Sequence, residues 1–145
     1  MKTTCFAGCR EPGRISIARR APANMVTKVQ HYPALAPGSW FKSVSPRQYV
    51  RLYFGEVLSK LDPRQVWEDL HQLVAPHEPV LLCWEKPPLT PHGRWWERPV
   101  SADAGEPSWN WCHRTMTAAW LQDRLGVTID EWHASSALDS NHQLL

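Results

Sequence analysis

The chain has 145 residues, 43% of them hydrophobic and 21% charged, which is enough for one hydrophobic core and too short for two ordinary domains. No apolar run approaches the roughly eighteen residues that a membrane-spanning helix needs, so a membrane span is excluded. The net charge of +2 is unevenly spread: residues 1–30 set Lys2, Arg10, Arg14, Arg19, Arg20 and Lys28 against Glu11, a net +5, and the remainder carries −3.

Clustered cations attract phosphates whatever the total charge, so the basic N-terminal part is compatible with a nucleotide or nucleic-acid partner; a solvated basic edge is the alternative. The chain begins Met1-Lys2-Thr3-Thr4-Cys5-Phe6-Ala7-Gly8 and lacks an apolar signal core before Arg10, which makes a cytoplasmic location the expectation. With no oxidising compartment indicated, Cys5, Cys9, Cys83 and Cys112 are expected as free thiols. Cys5 and Cys9 have no matching Cys or His pair nearby and read as core and loop cysteines.

Residues 2–8 and 14–18 read as short strands, the second with Ile15 and Ile17 on one face, joined by a turn at Pro12 and Gly13. Residues 21–40 contain Pro22, Pro33 and Pro37 and are expected as a long irregular crossing. Arg19 and Arg20 stand where the strand hands over to this loop. They suit an arginine fork for phosphate or carboxylate as well as a surface pair facing water.

Ser45-Pro46-Arg47-Gln48 is a helix start: a serine cap, a proline with its φ preset, and a glutamine placed to return a hydrogen bond. Tyr49, Val50, Tyr53, Phe54, Val57, Leu58 and Leu61 follow at helical spacing and predict a core-facing stripe, from which Tyr49 or Tyr53 can present a hydroxyl to a pocket. Asp62-Pro63-Arg64-Gln65 repeats the start signal and predicts a second helix, ended by Pro76 and Pro79. The apolar run at residues 80–85 then suits a buried parallel strand that projects Cys83 and Glu85 from one face.

Residues 86–110 hold Pro87, Pro88, Pro91, Pro99 and Pro107 and are expected as a non-helical insertion. Within it Arg94, Trp95, Trp96 and Arg98 form a run of cations and aromatics, the composition that stacks bases along a charged backbone; indoles also anchor long loops, as Trp109 would. A last helix is expected over residues 112–125, with Gly126 just past its end, then a strand over 127–132. The whole predicts one three-layer α/β domain over residues 1–133, Rossmann-like, with a small, mostly parallel sheet and flanking helices. Residues 134–145 are expected to fray.

Leu81-Leu82-Cys83-Trp84-Glu85 followed by Cys112-His113-Arg114 resembles the Leu-Leu-Cys-x-Glu and Cys-His-Arg signature of domain-of-unknown-function family number 488, a group of small bacterial and viral proteins. The resemblance extends to Ile15-Ser16-Ile17-Ala18-Arg19-Arg20-Ala21-Pro22, to Tyr32-Pro33-Ala34-Leu35-Ala36-Pro37 and to the Tyr-rich helix at residues 49–61, covering roughly residues 3–132. It specifies no reaction. The family's two motifs are usually joined by only a few residues, whereas here 86–110 intervene.

In an α/β unit the two motifs meet at the carboxyl edge of the sheet, where open sheets bind ligands. Cys112 and Arg114 then stand at a helix N-terminus, which favours a phosphate and also a thiolate. The chief reading is a pocket that binds, and is a candidate to process, a nucleotide or nucleic acid, with Glu85, Cys112 and His113 as catalytic candidates and Arg19, Arg20, Cys83, Arg114, Trp95 and Trp96 as ligand contacts. Adjacent helical residues point about 100° apart, so Cys112 and His113 need not touch. Two alternatives stay open: an interaction module that uses Trp95 and Trp96 against a protein partner, and a zinc protein whose ligands come from Cys83, Glu85, Cys112 and His113. No cofactor is indicated, and a catalytic role is left open.

Overall fold

The structure, a computed structural model, describes residues 1–85, 94–97 and 111–132. The readings for residues 134–145, for Arg98 and Trp109, and for most of the insertion fall outside them. Five strands form one sheet: β1 (Lys2–Cys5), β2 (Arg14–Ser16), β3 (Gln30–His31), β4 (Val80–Cys83) and β5 (Asp130–Glu131). Their order is β3-β2-β4-β1-β5 and every described pairing is parallel. The apolar run of β4 takes the centre, where both faces are covered and an unbroken Val-Leu-Leu-Cys is favoured; all four residues are buried. The domain is an α/β fold with flanking helices, as the order of sequence signals indicates.

Three α-helices flank the sheet: α1 (Pro46–Leu52), α2 (Pro63–Val74) and α3 (His113–Leu125). Ser45 caps α1 reciprocally, its Oγ accepting from Gln48 N at 3.2 Å while Gln48 Oε1 accepts from Ser45 N at 3.1 Å. Asp62 caps α2 by accepting from Arg64 N at 3.0 Å. Gly126, at φ +68°, closes α3 in the left-handed conformation that glycine adopts without a Cβ clash. The apolar stripe after α1 does not run as one helix: it widens into a π turn at Tyr53–Val57 and tightens into a 3-10 turn at Leu58–Lys60. The change of pitch turns both Tyr53 and Leu58 inward, where α-helical spacing alone would separate residues five apart by a large angle.

The helices share one face of the sheet. Ile15, Ile17 and Leu81 pack there with Val66, Leu70 and Val74 of α2 and with Met116, Trp120 and Leu121 of α3. On the opposite face Val80 and Leu82 meet Phe6, Cys9 and Val29, with Ala18, Ala21 and Met25 against them. The third layer is therefore irregular chain in the described part, supplied by the β1–β2 connection and by the loop between β2 and β3. That loop ends in β3, a two-residue exposed strand with no periodicity of its own, which pairs with the free edge of β2. Cys5 and Cys9 are free and buried, and no helix among the described residues is long and apolar enough to cross a membrane.

Beneath the sheet's carboxyl edge, Tyr53 Oη stands 2.7 Å from Leu35 O and 2.7 Å from Thr117 Oγ1, which in turn donates to His113 O at 3.0 Å. The Tyr53 and Thr117 hydroxyls thus tie the loop, the π turn and the start of α3 together. Tyr53→Phe is expected to lose about 1–3 kcal/mol, because it leaves the Leu35 carbonyl buried without its donor. Urea unfolding of the variant checks this; a midpoint equal to that of the parent protein would contradict it.

Candidate functional site

The chain leaves β2 toward β3 on one side and passes from β4 to β5 on the other. The carboxyl ends of the neighbours β2 and β4 are thus a topological switch point, at which diverging connections leave a crevice. A pocket of about 750 Å³ lies there. Ala18, Arg19 and Arg20 line it from the end of β2, Cys83, Trp84 and Glu85 from the end of β4, and Trp111, Cys112 and His113 from the start of α3. Pro37, Phe41, Lys42 and Tyr49 also line it. The two motifs, almost thirty residues apart, are therefore one site.

Cys112 is the N-cap of α3, with extended backbone (φ −150°, ψ 149°) and no side-chain capping bond. Its sulfur meets Cys83 Sγ, and the two join in a disulfide when oxidised, so the expectation of free thiols holds for this pair only in its reduced state. In the disulfide state Cys112 has no thiol with which to act as a nucleophile. The extended cap also settles whether Cys112 and His113 meet: the 100° divergence holds within a helix, and Cys112 lies outside it, 3.7 Å from His113 Nδ1.

His113 is buried, edge-on to the Tyr53 ring at 5.3 Å between centroids. Its Nε2 is 2.8 Å from Ile17 O. A carbonyl only accepts, so Nε2 carries the proton and the lone pair sits on Nδ1, facing Cys112. Burial pushes the imidazole pKa down to about 4 against the opposing pull of the Ile17 carbonyl, and the Arg114 charge lowers it further. The ring is neutral near pH 7.

Arg114, expected as a ligand contact, serves the protein's interior instead. It is fully buried and absent from the pocket wall. Its Nε and Nη2 form a fork on Glu131 Oε1 and Oε2, both at 2.9 Å, and Nη1 donates to Glu85 O at 2.7 Å and Cys83 Sγ at 3.2 Å. Four of the five guanidinium N–H groups are thus engaged by a carboxylate from β5 and by the end of β4, and the buried group does not line the pocket. Thr3 Oγ1 adds a hydrogen bond to Glu131 Oε1 at 2.8 Å. Arg114 is a positioning residue that holds Cys83 and the Glu85 backbone at the pocket floor.

Among the described residues the cations at the pocket are Arg19, Arg20 and Lys42. Arg19 donates to Pro37 O at 3.0 Å and stacks over Phe41 at 5.5 Å, and Lys42 approaches the same ring at 5.3 Å. Glu85 lines the same pocket, its carboxyl raised above the usual range mainly by desolvation, with its own backbone N–H and Arg114 pulling the other way. Trp84 is 53% exposed; its Nε1 donates to Arg20 O at 2.7 Å, which ties the indole to the backbone at the end of β2. Tyr49 and Trp111 meet edge to face at 4.7 Å on the far wall.

Trp95 and Trp96 lie outside the pocket wall. Trp95 is 5% exposed, packed on Trp96 and Trp111 at 5.9 and 5.8 Å, and Trp96 packs on Phe54 at 6.1 Å. Arg94 is bound to Asp123 of α3 through both carboxylate oxygens at 2.9 Å. This short run anchors the insertion to the domain, the other of the two roles open to its indoles. Sequence reasoning missed Phe41 and Lys42 as pocket residues and Glu131 as the partner of Arg114. Trp40-Phe41-Lys42 carries a cation-and-aromatic signal like that of the insertion, whereas nothing near Glu131 marks it out.

No protein-family model, curated protein or solved structure matches this chain.

Proposed function

We propose that the switch-point pocket binds a phosphate-bearing nucleotide or the end of a nucleic-acid strand, with phosphate toward Arg19, Arg20 and Lys42 and the base against exposed indole. The observation that carries this reading is the composition of the wall: three cations and the rings of Phe41, Trp84 and Trp111 border one pocket of about 750 Å³, within the range that small-molecule sites occupy. Aromatic faces take any base by stacking, and clustered cations favour the phosphate. The likeness of Leu81-Leu82-Cys83-Trp84-Glu85 and Cys112-His113-Arg114 to family 488 agrees with a shared scaffold and adds no ligand. A protein-binding role for Trp95 gains no support from its burial.

Melting-shift and calorimetric titrations with mononucleotides, short oligonucleotides and inorganic phosphate test the reading. A ligand at 100 times its Kd is expected to add about 2.7 kcal/mol of stability. Arg20→Ala and Lys42→Ala should each weaken binding about tenfold or more, and added salt should weaken it in the parent protein. Trp84→Ala should cost about 1–3 kcal/mol of affinity for a base-bearing ligand and leave phosphate binding unchanged. No shift with any nucleotide or oligonucleotide would end the proposal.

A further inference from the structure

Cys83 Sγ, Cys112 Sγ and a ring nitrogen of His113 lie within 4.8 Å of one another, all three residues are buried, and all three border the pocket. We propose that, with the sulfurs reduced, Cys83, Cys112 and Nδ1 of His113 bind a zinc ion whose fourth position opens into the pocket beside Glu85. This site stands independently of the nucleotide reading.

Four observations converge on it. His113 is oriented as metal-bound histidines are, with one nitrogen donating to a backbone carbonyl, Ile17 O at 2.8 Å, and the other left with its lone pair toward a sulfur. The distance from that Nδ1 to Cys112 Sγ is 3.7 Å. Zinc bonds of about 2.3 Å to sulfur and about 2.0–2.1 Å to nitrogen set a tetrahedral edge of about 3.6 Å, so the pair already has nearly the spacing of two ligands on one ion.

The Cα atoms of Cys83 and Cys112 are 7.3 Å apart, outside the 4.4–6.8 Å over which disulfide pairs usually lie. That backbone spacing suits two sulfurs which converge on a third atom. Finally, Arg114 Nη1 donates to Cys83 Sγ at 3.2 Å and is itself fixed by Glu131, an outer arrangement that favours the thiolate and aims it.

The donor set selects the metal. Two thiolates and an imidazole are soft to borderline ligands and favour zinc over magnesium or calcium, which take oxygen. The two thiolates also offset the charge of the ion, so no net charge is buried by the three ligands. Three protein ligands with an open fourth position is the pattern of zinc sites that act on bound water or substrate, and here the carboxylate of Glu85, 3.7 Å from Cys83 Sγ, stands at that opening. Binding to the dithiol releases two protons and moves no electrons. From the disulfide, a phosphine reductant must first supply two electrons, and two protons are taken up on the sulfurs.

The test uses the full chain, reduced with a phosphine under inert gas and titrated with Co²⁺. The expected result is the strong visible absorption of tetrahedral cobalt with sulfur-to-cobalt charge transfer, saturating at equimolar metal and bleached by Zn²⁺. Cys112→Ser and His113→Gln should each weaken cobalt binding by more than the about 10–100-fold that loss of an outer partner costs. Glu85→Gln, at an exposed position, should keep the charge-transfer band and alter the visible bands. A reduced, folded wild-type protein with only the weak spectrum of octahedral cobalt would overturn the site whether or not the buried variants fold, and so would tetrahedral binding that survives Cys112→Ser. The titration contains no nucleotide, so its failure leaves the proposed ligand binding untouched.

Discussion

Glu131→Ala is expected to destabilise the protein by about 3–5 kcal/mol, although it removes a partly exposed side chain from an edge strand. The reason lies with its partner. Arg114 is completely buried, and without Glu131 its charge keeps only the Glu85 carbonyl and the Cys83 sulfur as acceptors. Breaking a buried pair from the side that stays wet leaves the dry charge uncompensated, so the two halves of this pair are unequal.

Arg114→Met should therefore cost less than Glu131→Ala, since the Glu131 carboxylate left behind is 29% exposed and can be rehydrated. The double variant Arg114→Met with Glu131→Leu should cost less than Glu131→Ala alone, because a buried ion pair contributes little beyond an apolar pair of similar volume. Urea unfolding of the three variants, read as midpoint shifts at constant m-value, measures the order. A loss below about 1 kcal/mol for Glu131→Ala would show that water reaches the guanidinium and that the site floor is not built on this pair.

Leu81→Ala is the second large expected effect, a loss of about 2–5 kcal/mol. Leu81 is fully buried at the centre of the sheet, in register with Thr3 of β1 and Ile15 of β2 and under the helical layer. Hydrogen-bonded strands hold the backbone on both sides and helices α2 and α3 roof the position, so the vacated volume has few ways to close. Each Å³ that stays empty costs about 24 cal/mol.

Leu82→Ala removes the same atoms from the next residue, equally buried, on the opposite face. There the cover is the β1–β2 connection and the loop between β2 and β3, in which no helix keeps the chain in place, so that it can settle inward. Leu82→Ala is expected to cost less than Leu81→Ala by about 1 kcal/mol or more, within the spread that site collapse produces at fixed chemistry. Equal losses would mean that the loop layer is as rigid as the helical one. The pocket wall would be affected as well, since Ala18 and Ala21 pack on the cluster around Leu82 and flank Arg19 and Arg20.

Both expectations, together with the site, show where local signals end. The helix starts at Ser45 and Asp62, the left-handed stop at Gly126, the buried strand at Val80–Cys83, and the meeting of the Cys83 and Cys112 motifs at the carboxyl edge were all legible along the chain. These rest on interactions among residues a few positions apart, or on the rule that parallel sheets bring their strand ends and helix starts to one edge. Only the tertiary structure decided which partner each charged or reactive group takes. The guanidinium of Arg114 was as suited to a phosphate as to Glu131 until the pairing of β5 with β1 set that carboxylate beside it. Cys112 was either a helical residue diverging from His113 or an extended cap beside it, and its backbone, unlike its identity, is chosen by what surrounds it. Lys42 reached the pocket through the packing of Phe41, a contact with no sequence period to announce it. Short-range hydrogen bonding and periodicity are written along the chain; the competition among distant groups for a single cation or thiol is resolved only when folding sets their distances.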